Sequence, residues 1–258
     1  MGKNKKSPND QRGFTLLELS IVLVIIGLII GGIMIGRTLI RAAEVKSIGT
    51  DLERFETARM TFKSKYNCAA GDCAQASSLG LGTNGNGNGY AEHYLSAGEE
   101  PWYFWQHLSR AGLISGNYTG QDGPAGNEVD AVVGVNVPSA KIPNVGYSIY
   151  TAAPQWTVWS PTMDGYGLSR STTDTVYVIG GDNSPNNYNT ADAFLSPVDA
   201  KSLDDKYDDG LANNGKIRVQ IGHANYNSVG CTSGAQPNYS YTNSSVTRCN
   251  LQYWFRNF

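Results

Sequence analysis

The chain has 258 residues, and its 20 lysines and arginines against 22 aspartates and glutamates give a formal net charge of −2 at pH 7. A broad nucleic-acid surface needs clustered cations, so this balance argues against a nucleic-acid partner. The length is sufficient for a membrane anchor followed by one domain with a substantial core.

The first predicted element is a short basic leader that precedes an apolar run. The leader contains one acid, Asp10, and its four cations are Lys3, Lys5, Lys6 and Arg12. This excess of positive charge predicts that the leader stays in the cytoplasm. Residues 19–35 contain nothing more polar than Ser20, which predicts a helix that crosses the membrane with its N-terminus inside.

A single carboxylate, Glu18, lies at the start of the apolar run. A charged acid costs about 2.5–3.5 kcal/mol near the centre of a membrane helix and less near the interface, so we expect Glu18 to have a neutralising partner. Secretory signals are cut after their apolar segment, whereas here the expected break lies before it, between Gly13 and Phe14. The cut would create an ammonium at Phe14, which shares a helix face with Glu18 at four-residue spacing. We expect the two charges to pair between neighbouring copies.

Residues 12–36 closely resemble the start of type IV prepilins and type II secretion pseudopilins, through the run Gly-Phe-Thr-Leu-Leu-Glu-Leu-Ser-Ile-Val-Leu-Val-Ile-Ile-Gly. The resemblance implies that a prepilin peptidase cuts after Gly13 and methylates the amino group of Phe14. It also implies that Glu18 pairs with the terminal amine of a neighbouring subunit. The alternative is a plain signal anchor with an isolated glutamate.

The resemblance further implies a location and a set of partners. The chain is expected to cross the inner membrane once, with a cytoplasmic N-terminus and a periplasmic globular domain, before it enters a pilus or pseudopilus. The implied partners are copies of itself, other pilins or pseudopilins, the prepilin peptidase, the inner-membrane assembly platform and membrane lipid.

The apolar helix differs from that of many major pilins because it lacks an internal proline; none occurs between Pro8 and Pro101. Gly31, Gly32 and Gly36 are its flexible points, and each glycine weakens a helix by only about 1 kcal/mol relative to alanine. This difference favours a minor pilin or pseudopilin-like subunit. Gly27, Gly31 and Gly32 also form a small-residue strip where helices could approach closely.

The helix is predicted to continue beyond the membrane as an amphipathic segment. Between residues 37 and 66 there is no proline, and Gly49 is the only glycine. Apolar residues recur at three- and four-residue spacing, interrupted by Arg59, at Val45, Ile48, Leu52, Phe55, Phe62 and Tyr66. We therefore expect this stripe to pack against a globular domain.

The sequence thus predicts four regions and an α+β fold. The regions are a leader (1–13), a transmembrane or filament-core helix (14–36), its amphipathic continuation (37–66) and an extracytoplasmic β-rich domain (67–258). The expected architecture is pilin-like, with the long helix packed on an antiparallel β-sheet.

The four cysteines, Cys68, Cys73, Cys231 and Cys249, all lie after the apolar helix, where an oxidising compartment permits disulfides. Three pairings are possible, and the shortest closures are Cys68–Cys73 and Cys231–Cys249. Zinc is the alternative, but there is no Cys-x-x-Cys motif and no histidine close to either pair.

Further elements follow in the region 67–258. Residues 80–89 are rich in glycine and asparagine and predict a flexible loop. Residues 99–111 predict a helix, whose aromatic cluster either packs in the core or contributes to a subunit contact. Alternating patterns and β-branched residues predict strands at residues 129–137, 145–151, 156–160, 175–179, 216–221 and 251–255.

Residues 196–209 predict a second short helix, capped by Ser196 and with Pro197 in its first turn. Its last turns are crowded with acids, Asp204, Asp205, Asp208 and Asp209, where the helix dipole disfavours them. We expect Lys201, Lys206 or Lys216 to balance them in a solvated helix end. The alternative is calcium, which some pseudopilins bind near the end of the chain, although this spacing is not that of an EF-hand.

We expect no cofactor, no metal and no enzymatic activity. The three histidines, His93, His107 and His223, lie in no recognisable ligand or nucleophile motif. The favoured function is a structural, minor subunit of a type IV pilus or type II secretion pseudopilus. The alternatives are a tip-located adhesin and, less favoured, a hydrolase tethered by a pilin-like anchor.

Overall fold

The longest element is one α-helix, α1, which runs from Leu16 to Tyr66. The computed structural model describes residues 14–89, 91, 93–94, 98–121, 123, 131–151, 175–182, 190, 192–219, 230–232, 238–239 and 249–255. By its internal contacts the chain separates into two units, Met1–Ala43 and Glu44–Phe258. The second unit therefore includes the last part of α1 and all of the elements that follow it.

A four-stranded antiparallel sheet forms the centre of the second unit, with the order β3-β4-β6-β5. Its strands are β3 (Val145–Thr151), β4 (Thr175–Gly181), β5 (Ile217–Arg218) and β6 (Leu251–Phe255). A separate two-stranded hairpin joins β1 (His93–Tyr94) to β2 (Gly98–Glu99). The other helices in the described part of the chain are α2 (Glu100–Arg110) and α3 (Pro197–Tyr207). The expected α+β class, with a long N-terminal helix and an antiparallel sheet, is confirmed.

The predicted strands agree with the structure to different extents. β3 and β6 have the predicted bounds, and β4 extends two residues further to Gly181. Only residues 217–218 of the segment 216–221 form a described strand, and residues 156–160 lie outside the described part. The strand prediction for 129–137 is wrong over the described residues 131–137, which form a turn. In that turn Gly134 has a positive φ of 85°, and the side chain of Asn136 accepts the N–H of Val132 at 2.7 Å.

The core of the second unit lies between α1, α2 and the sheet. Every member of the predicted stripe except the half-buried Tyr66 is buried. The ring centre of Phe55 lies 5.0 Å from those of both Trp105 and Tyr147. These edge-on aromatic contacts add about 0.5–1.5 kcal/mol each beyond the burial of apolar area. The hydroxyl of Tyr147 also donates to the carboxylate of Asp51 at 3.0 Å, which joins β3 to α1.

Arg59 lies inside the stripe and is only 3% exposed. Its guanidinium pairs with Glu56 at 2.9 Å and lies over the ring of Phe255, 4.4 Å from the ring centre. The cation therefore has both a charged and an aromatic partner, which offsets the loss of hydration on burial.

Residues 80–89 form an irregular loop, as expected, and buried polar side chains bind its backbone. The buried carboxylate of Asp72 accepts the N–H groups of Asn88 and Gly89 at 2.9 and 2.8 Å. The buried ring of His107 accepts the N–H of Gly71 at Nδ1 (2.9 Å), and its Nε2 lies 2.7 Å from the carbonyl of Thr83. The loop is thus tied to α2 through its backbone.

This geometry defines the state of His107. A neutral ring with the proton on Nε2 satisfies both contacts, since Nδ1 accepts and Nε2 donates. Burial lowers the pKa of His107 to about 4, so the ring stays neutral near pH 7. His107 is therefore a structural residue that positions the loop.

Candidate functional site

The N-terminal end of α1 is closed by Thr15 and Glu18. The N–H and the hydroxyl of Thr15 both donate to Oε2 of Glu18, at 2.8 and 2.9 Å, and the N–H of Glu18 donates to Oγ1 of Thr15 at 3.2 Å. This reciprocal pattern is a capping box, which satisfies N–H groups that have no partner within the helix. Thr15 was not among the predicted site residues, although the spacing Thr-x-x-Glu before an apolar run is the recognised signature of a capping box.

The capping box places Phe14 outside the helix. α1 begins at Leu16 rather than at the expected Phe14, so Phe14 and Glu18 do not share a helix face in this structure. The side chain of Phe14 is 84% exposed, and Gly13 lies outside the described residues. In the isolated chain the observed partner of Glu18 is therefore Thr15.

The first part of α1 presents an almost wholly exposed apolar surface. Its most apolar 18-residue window has a mean hydropathy of 2.8, and none of that window is buried within the chain. By length and composition this helix can cross a membrane. Burying one such side chain is worth about 1.5–3 kcal/mol, so a surface of this size needs lipid or neighbouring helices to cover it.

The glycines of this segment have no steric role within the described chain. A Cβ built at Gly27, Gly31, Gly32 or Gly36 would meet nothing within 4 Å outside the helix itself. At Gly49, by contrast, the added atom would overlap the ring of Tyr207. The glycines of the apolar segment are therefore available for close contacts with another helix.

The acids at the end of α3 form a compact group. Carboxylate oxygens of Asp204, Asp208 and Asp209 lie within 4.8 Å of one another. Asp204 is buried and accepts the hydroxyl of Tyr239 at 2.8 Å and the N–H of Gly210 at 3.2 Å. Both of its oxygens thus have donors from the protein, even though a group of this kind could hold a metal ion.

Lysine side chains or a metal were expected to balance these acids. Lys201 does pair with Asp205, whereas backbone and amide groups reach Asp208 and Asp209. Asp208 accepts the N–H groups of Lys216 and Ile217, the latter at 2.8 Å. Asp209 accepts the side-chain amide of Asn214 at 2.7 Å. Lys216 therefore contributes its backbone N–H here. The three acids tie the end of α3 to β5 and to Tyr239.

Two disulfides are present, and they are the two shortest closures. Cys68 is joined to Cys73 directly after α1, with an S–S distance of 2.06 Å. Cys231 is joined to Cys249 with an S–S distance of 1.97 Å, and this pair closes a loop that contains Tyr239. The Asp204–Tyr239 hydrogen bond thus ties the C-terminal disulfide loop to α3.

The aromatic cluster of α2 lies in the core. Trp102, Phe104 and Trp105 are fully buried, and Tyr103 is half-buried. The possibility that these rings form a subunit contact has no support in the described structure.

Comparison with protein families matches residues 8–34 to the prokaryotic N-terminal methylation motif. No curated protein and no solved structure matches the chain. The motif match, together with the apolar helix that follows it, defines a prepilin-type N-terminal segment. In this segment the chain is similar to type IV pilins and pseudopilins.

Proposed function

We propose that this protein is a structural, minor subunit of a type IV pilus or of a type II secretion pseudopilus. The observation that carries the proposal is the methylation-motif match over residues 8–34, followed by an exposed apolar helix. In this proposal a prepilin peptidase cuts after Gly13 and methylates Phe14. Before assembly, the mature chain is anchored in the inner membrane, with its globular domain in the periplasm.

Assembly would exchange one partner of Glu18 for another. In the single chain, Glu18 accepts two hydrogen bonds from Thr15. In a fibre it would meet the Phe14 ammonium of an adjacent copy, because that charge exists only after cleavage. The apolar surfaces of neighbouring helices would then cover one another and remove the exposed side chains from lipid.

α1 is one continuous helix from Leu16 to Tyr66 and contains no proline. Because many major pilins have a proline in this helix, its absence supports a minor role. No specific observation supports the alternative of a tip-located adhesin. The aromatic rings of α2 that were its candidate binding surface are mostly buried.

Replacing Glu18 by glutamine gives a sharp test. Glutamine can still complete a capping box, so Glu18→Gln removes the negative charge while it retains the helix end. We expect the variant to insert in the membrane and to be cleaved, but to yield few or no fibres by electron microscopy. The matched control is Glu53→Gln, an exposed acid further along α1, which should assemble normally.

Mass spectrometry of the mature terminus tests processing separately. The expected mass corresponds to a chain that begins with methylated Phe14. An intact Met1 in assembled material, or normal fibres from Glu18→Gln, would contradict the proposal.

A further inference from the structure

The two disulfides differ in how accessible their sulfur atoms are to a thiol from solution. Cys73, Cys231 and Cys249 are 0% exposed, whereas Cys68 is half-buried. A disulfide is opened by a thiolate that attacks one of its sulfur atoms, so the rate depends on access to that atom. Cys68 is therefore the cysteine at which exchange can begin.

Cys68 also lines an open surface cavity of about 390 Å³. Gly87 and Gly89 belong to the same lining and have no side chains that would narrow it. Lys63 is a further part of the lining, and a positive charge near a thiol favours the thiolate, which is the attacking form. The carboxylate of Asp72, which also lines the cavity, accepts two backbone N–H groups. The cavity thus gives a small thiol a path to Cys68.

The Cys68–Cys73 bond closes a short segment that anchors the loop at residues 80–89. Within this segment, the carboxylate of Asp72 binds two N–H groups of the loop. The carbonyl of Cys73 accepts the N–H of Gly85 at 3.0 Å. Opening the bond would let the segment move and would remove these anchors from the loop. Because the two cysteines are only five residues apart, their crosslink restricts the unfolded chain less than a longer closure does, so we expect the second unit to stay folded otherwise.

We propose that the Cys68–Cys73 disulfide is a reversible redox site, which a dithiol opens by attack on Sγ of Cys68 and whose opening releases the loop at residues 80–89. The attacking thiolate bonds to Sγ of Cys68, the bond between the two cysteines breaks, and Cys73 leaves as a thiolate that takes up a proton. The second thiolate of the dithiol then attacks the first sulfur of the dithiol in this mixed disulfide and releases Cys68. In sum, the protein disulfide gains two electrons and two protons, and the dithiol becomes a disulfide.

This inference goes beyond the proposed function and requires neither a fibre nor a membrane. The first test therefore measures the order of reduction in the full chain in detergent. A limiting amount of dithiothreitol is added without denaturant, free thiols are alkylated at timed intervals, and the modified peptides are identified by mass spectrometry. Because exchange depends on access, Cys68 and Cys73 should be alkylated at least about tenfold faster than Cys231 and Cys249.

Glutathione, a monothiol, identifies the sulfur atom that is attacked. When it replaces dithiothreitol, the trapped mixed disulfide should be at Cys68. Equal rates of reduction for the two disulfides, or a glutathione adduct at Cys73, would overturn the proposal.

The second test follows the loop by hydrogen exchange in the wild-type chain. After selective reduction of the Cys68–Cys73 bond, the N–H groups of Gly85, Asn88 and Gly89 should lose their protection, whereas β4 and β6 should keep theirs. Unchanged protection in the loop would overturn the proposal. An equal loss throughout β4 and β6 would also overturn it, because the bond would then hold the whole unit rather than one loop.

A pair of double variants repeats this test without a reductant. Cys68→Ser/Cys73→Ser should show the same loss of protection in the loop as the reduced wild type. The matched control is Cys231→Ser/Cys249→Ser, which removes the buried disulfide and should retain the wild-type protection of the loop. Loss of loop protection in the control to the same extent would contradict the assignment to the Cys68–Cys73 bond.

Discussion

Replacement of Asp204 by asparagine should change how the stability of the second unit depends on pH. Asp204 is buried and receives hydrogen bonds from Tyr239 and Gly210. The pKa of Asp204 is raised from 3.8 to about 7, mainly because the carboxyl is buried and also because of the negative charges of Asp208 and Asp209. The hydrogen bonds from Tyr239 and Gly210 act in the opposite direction and lower this pKa.

The sign of the effect follows from proton binding. Between pH 3.8 and about 7 the folded chain holds a proton on Asp204 that the unfolded chain has released. The free energy of unfolding therefore falls as pH rises through this interval, and the loss is complete above about pH 7. One unit of pKa shift corresponds to about 1.4 kcal/mol. The contribution of Asp204 to the free energy of unfolding therefore falls by at most about 4 kcal/mol between pH 4 and pH 8.

The assay is urea unfolding of the full chain in detergent, carried out with the wild type and Asp204→Asn at pH 4 to 8. Asparagine does not titrate, so the variant lacks this loss of stability. As the pH rises from 4 to 8, its free energy of unfolding should therefore increase by about 2–4 kcal/mol relative to that of the wild type. The lowered pKa of His107 makes stability rise with pH between about 4 and 6.5, but this effect is common to both proteins and cancels in the difference. Asp205→Asn is the control, since Asp205 is exposed and paired with Lys201, and such pairs contribute less than about 1 kcal/mol. If the difference in the free energy of unfolding between Asp204→Asn and the wild type did not vary with pH, the raised pKa of Asp204 would be refuted.

Three further predictions use substitutions elsewhere in the chain. Gly49→Ala should lower the free energy of unfolding by about 1–3 kcal/mol in urea titrations, because the new methyl group overlaps the ring of Tyr207; unchanged stability would contradict this packing. Gly31→Ala, where the methyl group meets nothing in the described chain, should not lower the free energy of unfolding, because alanine favours a helix over glycine by about 1 kcal/mol. It should nevertheless reduce the yield of fibres seen by electron microscopy, and an undiminished yield would argue against helix contacts at this glycine. Cys231→Ser/Cys249→Ser opens a loop whose ends are 18 residues apart, which should reduce stability by about 3 kcal/mol in the loop-entropy model; a thermal melt that matches the wild type would show that this crosslink contributes little.

The sequence determined those features of the chain that depend on near neighbours. The apolar run, the acid at its start and the basic leader identified the prepilin-type segment, which the motif match over residues 8–34 supports. Local patterns also located β3 and β6 with their observed bounds, and Ser196 and Pro197 located the start of α3. These signals are readable because each is complete within a few residues, such as a cap, a proline at the first turn or an alternation of apolar and polar positions.

Tertiary structure decided the features whose partners are far apart in the chain. The loop at residues 80–89 is rich in glycine, yet it is held by Asp72 and His107. Asp204 is buried because Tyr239, 35 residues away, meets its carboxylate. The sheet order β3-β4-β6-β5 likewise pairs β4 with a strand near the C-terminus. A local pattern specifies which face of an element is apolar, but only the fold selects the distant groups that come to lie against it.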